Sequence, residues 1–418
     1  MRSRTLTILF ILTAILLFAF MIQQATGVFS FKELSGVTEE KAKPSLSSTG
    51  FLEGTYQAEI EAYLQQHYGF REPLTRLYNQ NLWTLFRYSK VVEDQRIVIS
   101  DDNWIFETPT VEEYYQSRAY TIADDMTDVA TKFEKEAKRL YQIQQILEPY
   151  GTHVFVALLP GKEQVCAEHM PKNTQYPKEK KITAFDFYSK ELKDLGVNHV
   201  NFGEWFMQQN GHTDYPLFPQ TGAHWSILAA IHSADSLIRY MEQLSDSNMV
   251  NIKTGSVFKR TMRPDVDVEN LMNLIWPLQK APNYLAEVST DPDTTAWHPR
   301  LLNIGDSFYW NIVNFVPMKD IFSGTPYWYY FSTAYDDDSG TPVKDKDLLK
   351  EVLASDFVML SYSTVGLYQM SNGFSSQLLH KIYYDEGETG PVDFDSIPTK
   401  RSKAFLRYTE QKQHNALE

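Results

Sequence analysis

The chain has 418 residues, 43% of them hydrophobic and 22% charged, enough for one large α/β domain with an appendage or for two medium domains. A formal net charge of −14 without any basic stripe argues against a nucleic-acid partner, whose phosphates demand clustered Lys and Arg. The single cysteine, Cys166, excludes an intramolecular disulfide and reads as a buried small hydrophobe, and the ten histidines form neither an HExxH pair nor a Cys/His cluster, so no metal site is expected.

In chain order, Arg2 and Arg4 precede "LTILFILTAILLFAFMI" (6–22), which carries no charge. That pattern is an export signal whose basic end stays in the cytoplasm. The run reaches the lower limit for crossing a bilayer and exceeds a usual signal-peptide core, and Ala25-Thr26-Gly27 is only a tolerable cleavage site. Residues 1–27 are therefore expected to remain as a transmembrane signal anchor, with the rest of the chain outside the cytoplasm. Residues 28–95 read as a linker, "KAKPSLSSTG" (41–50), followed by two amphipathic helices within 53–89, broken near Gly69 and Pro73. "QRIVISDDNWIF" (95–106) predicts two short strands around an Asp-Asp-Asn turn.

Residues 96–390 alternate helix and strand. Helices are expected over 128–150 and 183–196, and a third over 224–244 with His224 at its head; strands are expected over 153–160, 197–202, 300–308 and 356–363. Strands apolar on both faces and separated by helices predict an α/β fold with a parallel sheet covered on both sides, whose ligands bind beyond the carboxyl ends of the strands. Residues 391–418 form a C-terminal tail, in which "TKRSKAFLR" (399–407) reads as solvated. Aromatics make up 14% of the chain, a content that suits stacking on sugar rings and a large aromatic core equally well.

Two short strings carry the chemistry. In "NIGDSFYW" (303–310) a strand ends, Gly305-Asp306-Ser307 turns, and a helix can begin. Ser307 there projects its hydroxyl at the sheet edge, beside amides able to stabilise an oxyanion. A serine needs a neighbouring base to be nucleophilic, and His224 in "PQTGAHWS" (219–226) is the natural one. The competing reading is that Asp306 or Ser307 merely caps the helix.

The N-terminal anchor, "YGFREPLTRLYN", "IVISDDNWIF", "LLPGKEQVCAEHMP", "TGAHWS" and "IGDSFYWN" resemble, in that order, the SGNH-hydrolase-like O-acetyltransferases that modify bacterial exopolysaccharides, the AlgX/AlgJ alginate-acetylation type and its DHHW relatives. The resemblance implies a flavodoxin-like three-layer α/β/α fold with a central, mostly parallel sheet and a permuted motif order, His block before Ser block, preceded by the transmembrane helix. It implies Ser307 as nucleophile and His224 as general base. The family places an acid two residues before the histidine, where this chain has Gly222. Three arrangements remain open: a backbone carbonyl orients the ring, a carboxylate such as Asp214 or Glu204 substitutes, or the site only binds. Lys162 falls where the family has a lysine after an apolar strand, suited to hold an acyl carbonyl or a sugar hydroxyl, or to make a surface salt bridge, and Gly161 allows close backbone approach there. Asp306 serves as a turn residue or an acid, Trp225 as a sugar wall or core, and Tyr309 and Asn311 as oxyanion donors or an aromatic platform.

The implied function is a membrane-anchored extracytoplasmic O-acetyltransferase of a cell-surface or secreted polysaccharide, working through an acyl-serine. It would sit in the inner membrane with its catalytic domain in the periplasm. No cofactor is expected; the acetyl group would come from a donor protein or acyl carrier through a multi-spanning membrane acyltransferase. A carbohydrate acetyl-esterase with the same Ser/His site is the near alternative, and an inactive glycan-binding or assembly subunit is the alternative from another class.

Overall fold

The computed structural model describes residues 2–36, 41–94, 96–115, 126–171, 183–291, 295–336, 339–392 and 396–415. The chain divides into two compact units, one of Met1–Arg96 with Asp267–Leu278 and one of Ile97–Val266 with Gln279–Glu418.

The first unit is helical. A helix over Arg2–Thr26 is long and apolar enough across Arg4–Thr26 to cross a membrane. Two further helices cover Thr55–His67 and Arg71–Phe86. The break falls at Tyr68–Phe70, as Gly69 suggests; Pro73, by contrast, lies inside the first turn of the second helix, where its missing N–H costs nothing. Gln80 of that helix accepts the backbone N–H groups of Ile275 and Trp276, and Asn79 donates to Met272 O, tying the 267–278 segment to it.

The second unit is built on a seven-stranded sheet. Numbered in chain order, the strands of this unit are β1 (Ile97–Ile99), β2 (Ile105–Glu107), β3 (His153–Leu158), β4 (His199–Asn201), β5 (Ile252–Lys259), β6 (Tyr284–Thr290), β7 (Leu301–Gly305), β8 (Tyr327–Tyr329), β9 (Thr333–Tyr335), β10 (Gly340–Pro342) and β11 (Phe357–Tyr362). The sheet order is β10-β9-β8-β7-β11-β3-β4. The β8-β7-β11-β3-β4 portion is parallel, while β9 and β10 close one edge antiparallel. β1 and β2 form the expected hairpin, and β5 pairs with β6 as a separate ribbon that the sequence reading missed.

Both faces of the sheet are covered, because alternate residues of each strand enter different cores. Val154, Val156 and Leu158 of β3 pack with the helices Met126–Leu147, Ala184–Leu195 and Phe374–Tyr383. Phe155 and Ala157 point the other way, into a core shared with the helix Ile227–Ser245 and with Trp225. This is the three-layer α/β/α arrangement expected. The Ala184 helix starts with a Thr183–Asp186 capping box and ends on Gly196 at φ 73°, both readable in the sequence.

Two local expectations are corrected. The third helix begins at Ile227 with Ser226 as its N-cap, so His224 stands in the preceding loop and not at the helix head. The "TKRSKAFLR" stretch is not a solvated tail: Lys403–Asn415 is a helix that buries Phe405 completely. Its Lys412 ammonium donates to Gly151 O, Thr152 Oγ1 and Ser355 O, and burial pulls that amine down to about 8.

Candidate active site

The site lies where β3, β7 and β11 end side by side. β11 sits between strands that lead to opposite ends of the sheet, the kind of switch point at which open α/β sheets bind ligands. The strands meet closely: a Cβ at Gly305 would come within 2.2 Å of Ser361 Oγ and 2.4 Å of Ser361 O, so only glycine lets β7 turn there. Asp306 follows in extended conformation and caps a short 3-10 turn, Ser307–Tyr309, that runs into the helix Trp310–Phe315.

Ser307 and His224 are brought together from this turn and from the loop before the Ile227 helix. His224 Nε2 lies 2.8 Å from Ser307 Oγ, within the reach of a general base. Two hydrogen bonds lock the carriers to each other: Trp225 Nε1 donates to Phe308 O at 3.0 Å and Asn311 Nδ2 donates to Trp225 O at 2.9 Å. The Phe308 ring packs against the imidazole with centroids 4.9 Å apart.

The other sequence candidates take different places. Trp225 is 1% exposed and belongs to the core, not to a sugar wall. Tyr309 is buried against Tyr327, and Asn311 is committed to the histidine loop, so neither faces a reacting group as an oxyanion donor. Asp214 and Glu204 are exposed and lie outside the cavity lining, so neither replaces the absent acid. Asp306 is buried and accepts from Phe308 N, Ser363 N and Ser363 Oγ, bridging the ends of β7 and β11. Burial raises its carboxyl against the pull of those three donors and of His224. Its capture of the Phe308 amide, and the bond from Tyr309 N to Asp306 O, occupy two of the amides after Ser307, where oxyanion donors were expected.

Lys162 is corrected most sharply. It lies inside the fold and not at the surface: its ammonium, 2% exposed, donates to Ile105 O at 2.7 Å, Gln220 O at 3.1 Å and Gly222 O at 2.7 Å. It lies over the Trp104 and Phe106 rings as well. It is a brace that pins the β1–β2 hairpin and the histidine loop to the end of β3. Lys162 and Gly161 both line the cavity, Gly161 at a spot where a Cβ would run into Glu163 Oε1 and Thr364 Oγ1.

The cavity itself is about 430 Å³, enough for a small ligand or one end of a larger one. His224 and Ser307 form one wall; Tyr330, Ser363, Thr364 and Glu163 form others, and the sequence reading identified none of these four. Tyr330 sits at φ 48°, an uncommon conformation for a bulky residue, and its phenol lies beside the Ser307 hydroxyl and amide. Burial and the charge of Asp306 push that phenol well above its usual range, so it stays a hydrogen-bond donor at neutral pH. Glu163 is 1% exposed, and burial pushes its carboxyl up to about 7 against the pull of the Thr364 hydroxyl. Cys166, buried nearby, is pushed up to about 12 and is no nucleophile.

Residues 97–308, just over half of the chain and including both His224 and Ser307, match the family model described as "SGNH hydrolase-like domain, acetyltransferase AlgX". Among solved structures, the chain is similar to the O-acetyltransferase domain of Pseudomonas putida AlgJ, at 15% identity over 67% of this chain and 99% of that one, with a TM-score of 0.42. It is also similar to Pseudomonas aeruginosa AlgX (13% identity, 69% and 68%, TM-score 0.40) and to Bacillus cereus PatB1 (14% identity, 65% and 96%, TM-score 0.37). No curated protein sequence matches the chain.

Proposed function

The chain belongs to the SGNH hydrolase-like AlgX acetyltransferase family, and from that premise we propose that it is a membrane-anchored, extracytoplasmic O-acetyltransferase that acetylates a polysaccharide through acetyl-Ser307. The observation that carries the reading is the 2.8 Å approach of His224 Nε2 to Ser307 Oγ in a cavity at the carboxyl ends of parallel strands. His224 takes the proton as Ser307 Oγ attacks the acetyl carbonyl, then returns it to the leaving group of the donor. In the second half a glycan hydroxyl gives its proton to Nε2 and attacks the acyl-serine, and Ser307 Oγ recovers the proton as it leaves. The Tyr330 phenol, which meets the Ser307 amide and hydroxyl, is the donor best placed to meet the developing oxyanion. Asp306 holds the nucleophile turn, and Lys162 and Asn311 hold the histidine loop.

The apolar Arg4–Thr26 helix supports an anchor in the inner membrane with the site in the periplasm. The family resemblance supports a polysaccharide acceptor and a multi-spanning membrane acyltransferase as the source of the acetyl group. The test is acetyl transfer by the full chain in detergent, with p-nitrophenyl acetate as donor and acetyl-free polysaccharides as acceptors, beside Ser307→Ala. Ser307-dependent acetylation of a glycan is the expected result. Ser307-dependent release of acetate to water alone would make the protein an esterase, and equal background rates in both proteins would end the enzymatic reading for that donor.

A further inference from the structure

A base paired to a serine works best when a third group fixes its tautomer and steadies the imidazolium. Gly222 cannot do this, and the fold fills the vacated space from another part of the chain. A Cβ built at Gly222 would meet the carbonyl oxygens of Pro264 and Asp265 at 2.8 Å each. The 3-10 turn Arg263–Val266, after β5, therefore lies in the volume that a side chain at position 222 would take. Its Asp265 is 1% exposed, and Asp265 Oδ2 accepts the Met262 N–H at 2.8 Å, so the carboxylate is held inside the turn. A carboxyl this deeply buried stays ionised only beside a group that compensates its charge. The histidine loop against which residue 265 packs carries an imidazole two residues on, with Nε2 already committed to Ser307.

We propose that Asp265 is the positioning acid of this site, accepting a hydrogen bond from His224 Nδ1–H. The acid–base–serine arrangement is then complete, with its acid moved from two residues before the histidine to a turn about forty residues after it. The displacement also accounts for Gly222: with the 263–266 turn in place, position 222 has no room for a side chain. The proposal rests on the Ser307–His224 reading above, and its test separates the two.

The first arm needs no turnover. In the full chain with 15N-labelled histidine, the His224 resonances, assigned by their loss in His224→Gln, should show Nδ1 protonated with a far-downfield N–H signal. That signal should vanish in Asp265→Asn. A wild-type protein with Nδ1 unprotonated, or a signal unchanged in Asp265→Asn, overturns the proposal whatever the protein catalyses. In the second arm, Asp265→Asn should lower kcat roughly 10²- to 10⁴-fold, with a smaller change in KM and the acidic limb of the kcat/KM profile moved to lower pH. A folded Asp265→Asn protein with wild-type kcat and an unmoved acidic limb overturns the proposal while leaving Ser307 and His224 standing. A wild-type protein that never acylates Ser307 fails the functional reading instead, and the resonance arm still decides the role of Asp265.

Discussion

Lys162→Met distinguishes a brace from a substrate contact. Methionine keeps the length and the apolar stem but removes three charge-assisted hydrogen bonds, to Ile105 O, Gln220 O and Gly222 O. Gln220 O keeps the Ile105 N–H at 3.1 Å, and each of the other two buried carbonyls loses this donor at a cost of about 1–3 kcal/mol. Removing a buried ammonium also relieves a desolvation penalty of several kcal/mol, which offsets much of that loss. The net destabilisation is expected at about 2–4 kcal/mol, a large share of the 5–15 kcal/mol that holds a typical domain. At about 2 °C per kcal/mol for a domain of this size, the melting temperature should fall by about 4–8 °C. Release of Gly222 O loosens the loop that aims His224, so kcat should fall by up to about 10²-fold with KM little changed, since a misplacement of about 1 Å has that effect. Thermal melts with acetyl-transfer kinetics below the transition provide the assay. A variant as stable as wild type whose only defect is a raised KM would refute the brace and return Lys162 to the substrate.

Glu163→Gln should be more stable than wild type by roughly 3 kcal/mol above pH 8, and the gain should disappear toward pH 4.5, because a carboxyl held at about 7 in the fold against an ordinary 4.5 costs stability only as pH rises and it ionises. Urea titrations across that range check it; parallel curves for the two proteins would contradict the burial argument. Gly222→Ala should lose about 1–3 kcal/mol and much of kcat, because its Cβ meets two backbone oxygens that cannot swing aside. Chemical unfolding of that variant at wild-type midpoint would show that the 263–266 turn is not packed as described.

The sequence was most legible where the physics is local or periodic. β3, β7 and β11 read as apolar runs because a central parallel strand buries both faces, and the Thr183–Gly196 helix announced both its ends. β8, β9 and β10 were missed: each has three residues, too few to show a period, and their place at the sheet edge is set by successive pairing, β8 on β7, β9 on β8 and β10 on β9. Ser307 and His224 were proposed because a serine after a strand and a histidine before a helix lie in an ordered set of motifs, although the local string left a helix cap equally open and misplaced His224 at the helix head. The roles of Lys162, Tyr309 and Asn311 were hidden because their partners are backbone carbonyls or core rings distant in the chain, which no side-chain motif encodes. Tyr330 and Thr364 reach the cavity only because β8 and β11 end beside β7, a fact of topology. Asp265 lies in no motif, and only the contact with Gly222 draws attention to it.

The central claim is that Ser307 carries the acetyl group. The direct measurement is intact-protein and peptide mass spectrometry of the full chain, quenched seconds after mixing with p-nitrophenyl acetate. One acetyl group on the peptide containing Ser307, absent in Ser307→Ala and sharply reduced in His224→Ala, is the predicted result. An unmodified Ser307 in a protein that turns the donor over, or equal labelling of wild type and Ser307→Ala, would contradict it.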